Sequence, residues 1–85
     1  MRRLPFVKMS GAGNDFILLQ KDWLGSAKVP AARLAKRLCL RRRSIGADGL
    51  LIVSRSGRLS YHNADGSAAF CANGSRCAAW WLLQT

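Results

Sequence analysis

Cys71, just ahead of Asn73-Gly74-Ser75, is the residue of this 85-residue chain whose type and place suit chemistry, and Asn63, Asp65 and Gly66 before it supply a tight turn. They fall within one stretch, YHNADGSAAFCANGSRC, from Tyr61 to Cys77. Helix-forming residues follow, and the pattern predicts a helix starting near Ala72, so the thiol of Cys71 stands at a helix amino terminus. The first backbone N–H groups there lack intrahelical partners, and the helix dipole adds partial positive charge. An anion is favoured at such a point, whether a bound carboxylate or the thiolate itself. A cysteine so placed is a base near neutral pH. Other arrangements are less promising. Cys71 and Cys77 point about 240° apart around one helix, so they do not chelate one metal together. His62 is the only histidine, and one histidine with one cysteine is too little for a zinc site. A Cys71–His62 nucleophile pair is conceivable chemically, but nothing in the sequence sets their separation.

The elements that must position these groups are legible as patterns. Phe6 to Met9 and Asp15 to Gln20 read as two strands, joined through Ser10-Gly11-Ala12-Gly13-Asn14 as a hairpin. Gly11-Ala12-Gly13 is not a dinucleotide fingerprint, because Phe16 stands at the third glycine and no helix follows. Asn14 is either a turn residue or a side-chain amide at the rim of a site. Lys21 to Lys28 reads as a polar turn. Pro30 suits a first helical turn, and Ala31, Leu34, Ala35 and Leu38 form an apolar stripe opposite Arg33, Lys36 and Arg37. Cys39, near the end of that helix, reads as a packing residue. Ile45-Gly46-Ala47-Asp48-Gly49 is a glycine-bracketed loop in which Asp48 is a turn carboxylate. Leu50 to Val53 is an apolar strand buried on both faces, and Ser56-Gly57 turns the chain back into a strand around Leu59 and Tyr61.

Composition bounds the rest. Eighty-five residues make at most one domain, burying roughly 60% of the unfolded surface, so stability should be marginal. With 14 basic and 4 acidic residues the net charge is +10, which attracts anions but does not inform on fold. Arg41-Arg42-Arg43 is the best argument for a nucleic-acid partner. No interleaved aromatics or zinc spacing accompany it, and a solvated helix end accounts for it better. Three cysteines do not make a disulfide framework, and MRRLPFVK lacks the apolar run of a signal peptide, so a cytoplasmic location is expected. Asn73-Gly74-Ser75 is then a chance glycosylation match. No segment has the length to cross a bilayer. The run AAWWLL leaves the last helix without a polar face. Nothing in 85 residues encloses it on every side, so the chain reads as cut short and in need of a partner.

Three blocks, FVKMSGAGNDFILL, RRRSIGADGLLIV and YHNADGSAAFCANGSRCA, resemble in order and spacing the amino-terminal signature blocks of diaminopimelate epimerase. The resemblance implies an α+β fold, with mixed and antiparallel strands wrapping a central apolar helix. Residues 1–85 would be the partial amino-terminal domain of a two-domain, pseudo-symmetric isomerase whose carboxyl-terminal domain is absent here. It implies inversion at an amino-acid α-carbon in lysine biosynthesis by two cysteines, one on each face, without pyridoxal phosphate, metal or other cofactor. By motif position Cys71 resembles the first acid/base thiol. Asn14, Asn63, Ala72 and Asn73 resemble the substrate-holding residues. The implied partner is a small amino-acid substrate, diaminopimelate, with no nucleic acid or membrane, and the resemblance allows a homodimer at full length.

The chain also departs from the family pattern. Ala72 stands where glycine usually follows the catalytic cysteine, and Ser44 where glycine commonly precedes IGADG. Gly49 falls where some members carry a substrate-contacting glutamine, so no binding is assigned to it. Cys39 and Cys77 do not match the motif of the second thiol, and the isolated chain is expected to be inactive. Two alternatives stay open: another isomerase of the same fold, proline-racemase-like or phenazine-biosynthesis-like, and a small basic nucleic-acid-binding module.

Overall fold

A computed structural model describes residues 5–11, 13–25, 29–42, 44–69 and 72–84. The order of elements is β1 (Val7–Gly11), β2 (Asn14–Gln20), a 3-10 turn (Lys21–Leu24), α1 (Ala31–Leu38), β3 (Gly49–Val53), β4 (Leu59–Asn63), β5 (Ala68–Ala69) and α2 (Ala72–Gln84). The five strands form one mixed sheet in sequence order. Only the β2–β3 pair is parallel. A parallel neighbour requires a crossover, and α1 lies on that connection.

Side-chain alternation divides the sheet into two cores. Phe16 and Leu18 of β2, with Leu51 and Val53 of β3 and Tyr61 of β4, face α2 through Ala78 and the partly buried Trp81. Ile17, Leu19 and Leu50 point the other way and pack with Ala35 and Cys39 against α1. Phe16 through Leu19 are all 0% exposed, as a strand sandwiched between two helices must be. Each such apolar side chain contributes roughly 1.5–3 kcal/mol by leaving water.

The expected architecture holds, with local differences. The first hairpin is tighter than a five-residue loop, because Gly11 pairs with Asn14 and only residues 12 and 13 lie between them. Gly13 has φ +88°, a conformation that favours glycine over any residue with a β-carbon. The stretch expected to be a polar turn after β2 begins as a 3-10 helix, and its Trp23 and Leu24 pack on the α1-side core. Pro30 is the residue preceding α1, whose apolar stripe faces inward as expected, with Ala35 fully buried. The two-residue strand β5 was not expected. Alanine has little strand preference, and the segment is held by pairing with Tyr61 and His62.

One close approach requires glycine. Gly49 pairs with Phe16 on one side and Asn63 on the other. The rings of Phe16 and Tyr61 meet edge to face beside it, with centroids 5.9 Å apart. A β-carbon at Gly49 would overlap the Tyr61 hydroxyl and ring carbons.

Candidate active site

The register brings several polar residues to one end of the strands. Asn14 opens β2, Asp48 immediately precedes β3, and Asn63 closes β4. Because Gly49 pairs with both Phe16 and Asn63, the two asparagines expected to hold substrate lie at the same end of the sheet, on either side of the Asp48–Gly49 step.

A reciprocal carboxylate arrangement fastens that end. The Asp15 backbone N–H donates to Asp48 Oδ2 at 3.1 Å, and the Asp48 N–H donates to Asp15 Oδ1 at 3.0 Å. The Asp48 carboxylate thus gives the Asp15 amide an acceptor, while the Asp48 amide is shared between Asp15 Oδ1 and the Asp15 carbonyl, the latter also at 3.0 Å. Arg41 donates from its two terminal nitrogens to the two oxygens of Asp15, at 3.2 and 2.8 Å, and also reaches Asp48 Oδ1 at 3.1 Å. Lys8 Nζ lies 3.2 Å from Asp15 and donates to the carbonyl of Gly46. The Arg41 guanidinium, aided by Lys8 and the Asp48 amide, holds the Asp15 carboxyl well below the usual carboxylate range against a smaller opposing effect of burial. Asn14 Nδ2 donates to Asp48 Oδ2 at 3.4 Å, and the Ala64 N–H donates to the Asp48 carbonyl at 3.1 Å.

Asn63 sits on its own turn. Its N–H donates to the Ser67 carbonyl at 2.9 Å, its Nδ2 to Ser67 Oγ at 3.0 Å, and its carbonyl accepts from Gly66 at 2.8 Å. Asp65 Oδ1 accepts from the Ser67 N–H and hydroxyl at 2.8 and 2.6 Å, and these donors lower its pKa. Asp65 is thus a turn former that rigidifies the base on which Asn63 stands.

Of the remaining expected site residues, Ala72 and Asn73 open α2, as the pattern of the sequence requires. Cys71 lies outside the described residues. His62 pairs with Leu50 and so points to the α1 side of the sheet, while α2 packs on the other. Cys39 is 3% exposed inside the α1-side core, where burial pushes its thiol pKa up. This is the behaviour of a packing residue. Among the described residues no group of three or more histidine, cysteine, aspartate or glutamate side chains is arranged to hold a metal ion. No helix among them is long and apolar enough to cross a membrane.

Asp15, Lys8 and Arg41 were missed as parts of the site. The signal available was an aspartate in each of GNDF and GADG at the start of adjacent strands. Arg41, expected at a solvated helix end, is 56% exposed beyond α1 and also bridges Asp15 of β2 and Asp48 just ahead of β3. Two cavities lie away from this cluster. One of about 410 Å³ is lined by Lys21, Ile52, Ser54 and Ser60, and one of about 600 Å³ by Gln20, Trp23, Val53 and Leu82. Both open at the opposite ends of β2, β3 and β4.

The fold and this cluster define an α+β unit that brings two asparagines to the end of a mixed sheet where a carboxylate pair is braced. The family model described as diaminopimelate epimerase matches residues 6–85, and the chain belongs to that family. It is 44% identical over 88 residues to a diaminopimelate epimerase of Halothermothrix orenii, covering 95% of this chain and 30% of the relative. A diaminopimelate epimerase of Chlorobaculum tepidum is 44% identical over 78 residues, covering 86% of this chain and 30% of the relative. One of Moorella thermoacetica is 45% identical over 89 residues, covering 96% and 31%. The chain spans about three-tenths of the length of these curated relatives.

Proposed function

We propose that this chain is the amino-terminal part of a two-domain, cofactor-independent epimerase that interconverts LL- and meso-diaminopimelate, with Cys71 as one of two acid/base thiols. The observation that carries the reading is the family match across residues 6–85. The convergence of Asn14 and Asn63 at one end of the sheet supports it, as does the opening of α2 at Ala72, directly after Cys71 in the sequence.

The chemistry follows from the weak acidity of a C–H bond beside a carboxylate. A thiolate takes the α-proton, the C–H electron pair moves toward the carboxylate, and a thiol on the opposite face returns a proton to the carbon. The net result is inversion with no change in oxidation state. The developing charge must meet fixed donors that need no reorganisation, and the first N–H groups of α2 are such donors. Asn14, Asn63, Ala72 and Asn73 orient the substrate, and the neutral amides do so without adding charge. The second thiol belongs to the other half of a family-length protein. Cys39, enclosed in the α1-side core, does not supply it, and the 85 residues alone do not complete the turnover. The setting is lysine biosynthesis in the cytoplasm, with a small amino acid as partner, no nucleic acid or membrane, and a homodimer at full length.

The test is Cys71→Ala in a family-length protein that opens with these residues. Solvent deuterium exchange at the α-carbon should be lost from one face. Unchanged exchange of both stereoisomers would remove Cys71 from the mechanism.

A further inference from the structure

The Asp48 side chain is hydrogen-bonded to Asn14, and its backbone touches the segment that carries Asn63. Its Oδ2 accepts from Asn14 Nδ2 and from the Asp15 N–H. Its carbonyl accepts from Ala64, the residue after Asn63. Its Oδ1 is held by Arg41, which is anchored in turn on Asp15. An amide has a donor end and an acceptor end, and a rotation about its last torsion exchanges them. An anion beside Nδ2 selects one orientation, because a carboxylate only accepts.

We infer that Asp48 is a positioning residue, whose carboxylate, clamped by Arg41 and the Asp15 amide, sets which end of the Asn14 amide is presented to the substrate. The inference rests on the proposal that Asn14 binds substrate. Asp48 itself does not touch the reacting carbon. Of the two asparagines its carboxylate acts on Asn14, because the contact to the Asn63 side runs through a backbone carbonyl that survives any substitution at Asp48. The 3.4 Å separation marks a long hydrogen bond, so the effect is modest.

The experiment is a double-mutant cycle on KM and kcat for diaminopimelate, in a family-length protein opening with these 85 residues. Asp48→Ala should raise KM about three- to tenfold, the loss of one modest hydrogen bond, while kcat changes less than about twofold. Asp48→Asn, whose amide donates as well as accepts and so no longer selects one orientation, should leave most of the loss in place. In an Asn14→Ala background, Asp48→Ala should add nothing further to KM. An equal rise in KM in both backgrounds would make Asp48 a structural brace and overturn the inference. So would an unchanged KM in Asp48→Ala while Asn14→Ala raises it. If Asn14→Ala itself leaves KM unchanged, the substrate role of Asn14 fails first and the inference falls with it, a result recognisably different from the other two. Should Asp48→Ala not fold, Asp48→Glu, which keeps the charge but displaces the carboxylate by one methylene, must show the same Asn14-dependent rise. A KM within about twofold of the parent in that variant overturns the inference.

Discussion

Gly49→Ala isolates the contact on which the registration of β2, β3 and β4 depends. An added β-carbon overlaps the Tyr61 hydroxyl and ring carbons, and those atoms belong to a rigid ring rather than the end of a flexible chain. Tyr61 is 9% exposed and packed edge to face on Phe16, so the ring has no open direction in which to swing. Overpacking of this kind costs about 1–3 kcal/mol. Separating the two rings forfeits a further ~0.5–1.5 kcal/mol. Replacing a strand glycine by alanine returns roughly 0.5–1 kcal/mol of backbone entropy. The balance is a destabilisation of about 2 kcal/mol, concentrated at the strand ends that carry Asn14 and Asn63. Amide hydrogen exchange of β3 and β4 in a family-length protein reads this local opening directly, and the expected acceleration is about 30-fold. Tyr61→Phe should not relieve the defect, because ring carbons as well as the hydroxyl overlap, whereas Tyr61→Leu in the same chain should. Exchange in Gly49→Ala within about twofold of the parent, or failure of Tyr61→Leu to relieve the defect, would refute the steric account.

Two further outcomes follow from the charges and the apolar surface. The native pKa of Asp15 lies below its unfolded value. The stability it confers is therefore fully present above about pH 4 and is lost as pH falls through the native value. Protection of the β2–β3 amides should decline on acidification below about pH 4, and Asp15→Asn should flatten that decline; equal slopes in both proteins would contradict the assignment. On α2, Trp80 and Leu83 are 55% and 83% exposed, so the 85-residue chain should associate or precipitate. The double variant Trp80→Lys, Leu83→Lys should sediment as a smaller species, and a monomeric, cooperatively melting parent chain would count against this.

Most of the framework was legible because its signals are local. Leu50 to Val53 announces a strand covered on both faces, and Ala31, Leu34, Ala35 and Leu38 announce a helix with one buried stripe. Their burial follows those patterns closely. The strand ends of Asn14 and Asn63 were legible only as separate asparagines in turn sequences. Their alignment depends on the β2–β3 and β3–β4 registers, which no single stretch of sequence carries. The bridging by Arg41 was hidden for a related reason. A cation after a helix has a sufficient local explanation in the helix dipole, and its partners Asp15 and Asp48 are 26 and 7 residues away.

The aspartates of GNDF and GADG have one physical explanation that also accounts for the location of the asparagines. Where two parallel strands begin side by side, a leading amide can lack a ladder acceptor. Asp48 Oδ2 supplies one to the Asp15 amide, the Asp48 amide is shared between the Asp15 carbonyl and Asp15 Oδ1, and the two negative charges tolerate each other because Arg41 spans both and Lys8 reaches one. An isolated pair of carboxylates would repel and raise each other's pKa. The pair closed by two cations becomes a charge-balanced platform, with Asn14 next to it in sequence and Ala64 bonded to its backbone. A neutral amide mounted on such a platform keeps one orientation, whereas the same amide on a flexible loop samples both. Preorganisation of this kind lowers the ordering cost of binding and does so before any substrate arrives. The paired aspartates are therefore best understood as the foundation of the sheet end that carries Asn14 and Asn63, where backbone and carboxylate groups of β2 and the residue ahead of β3 cross-brace each other.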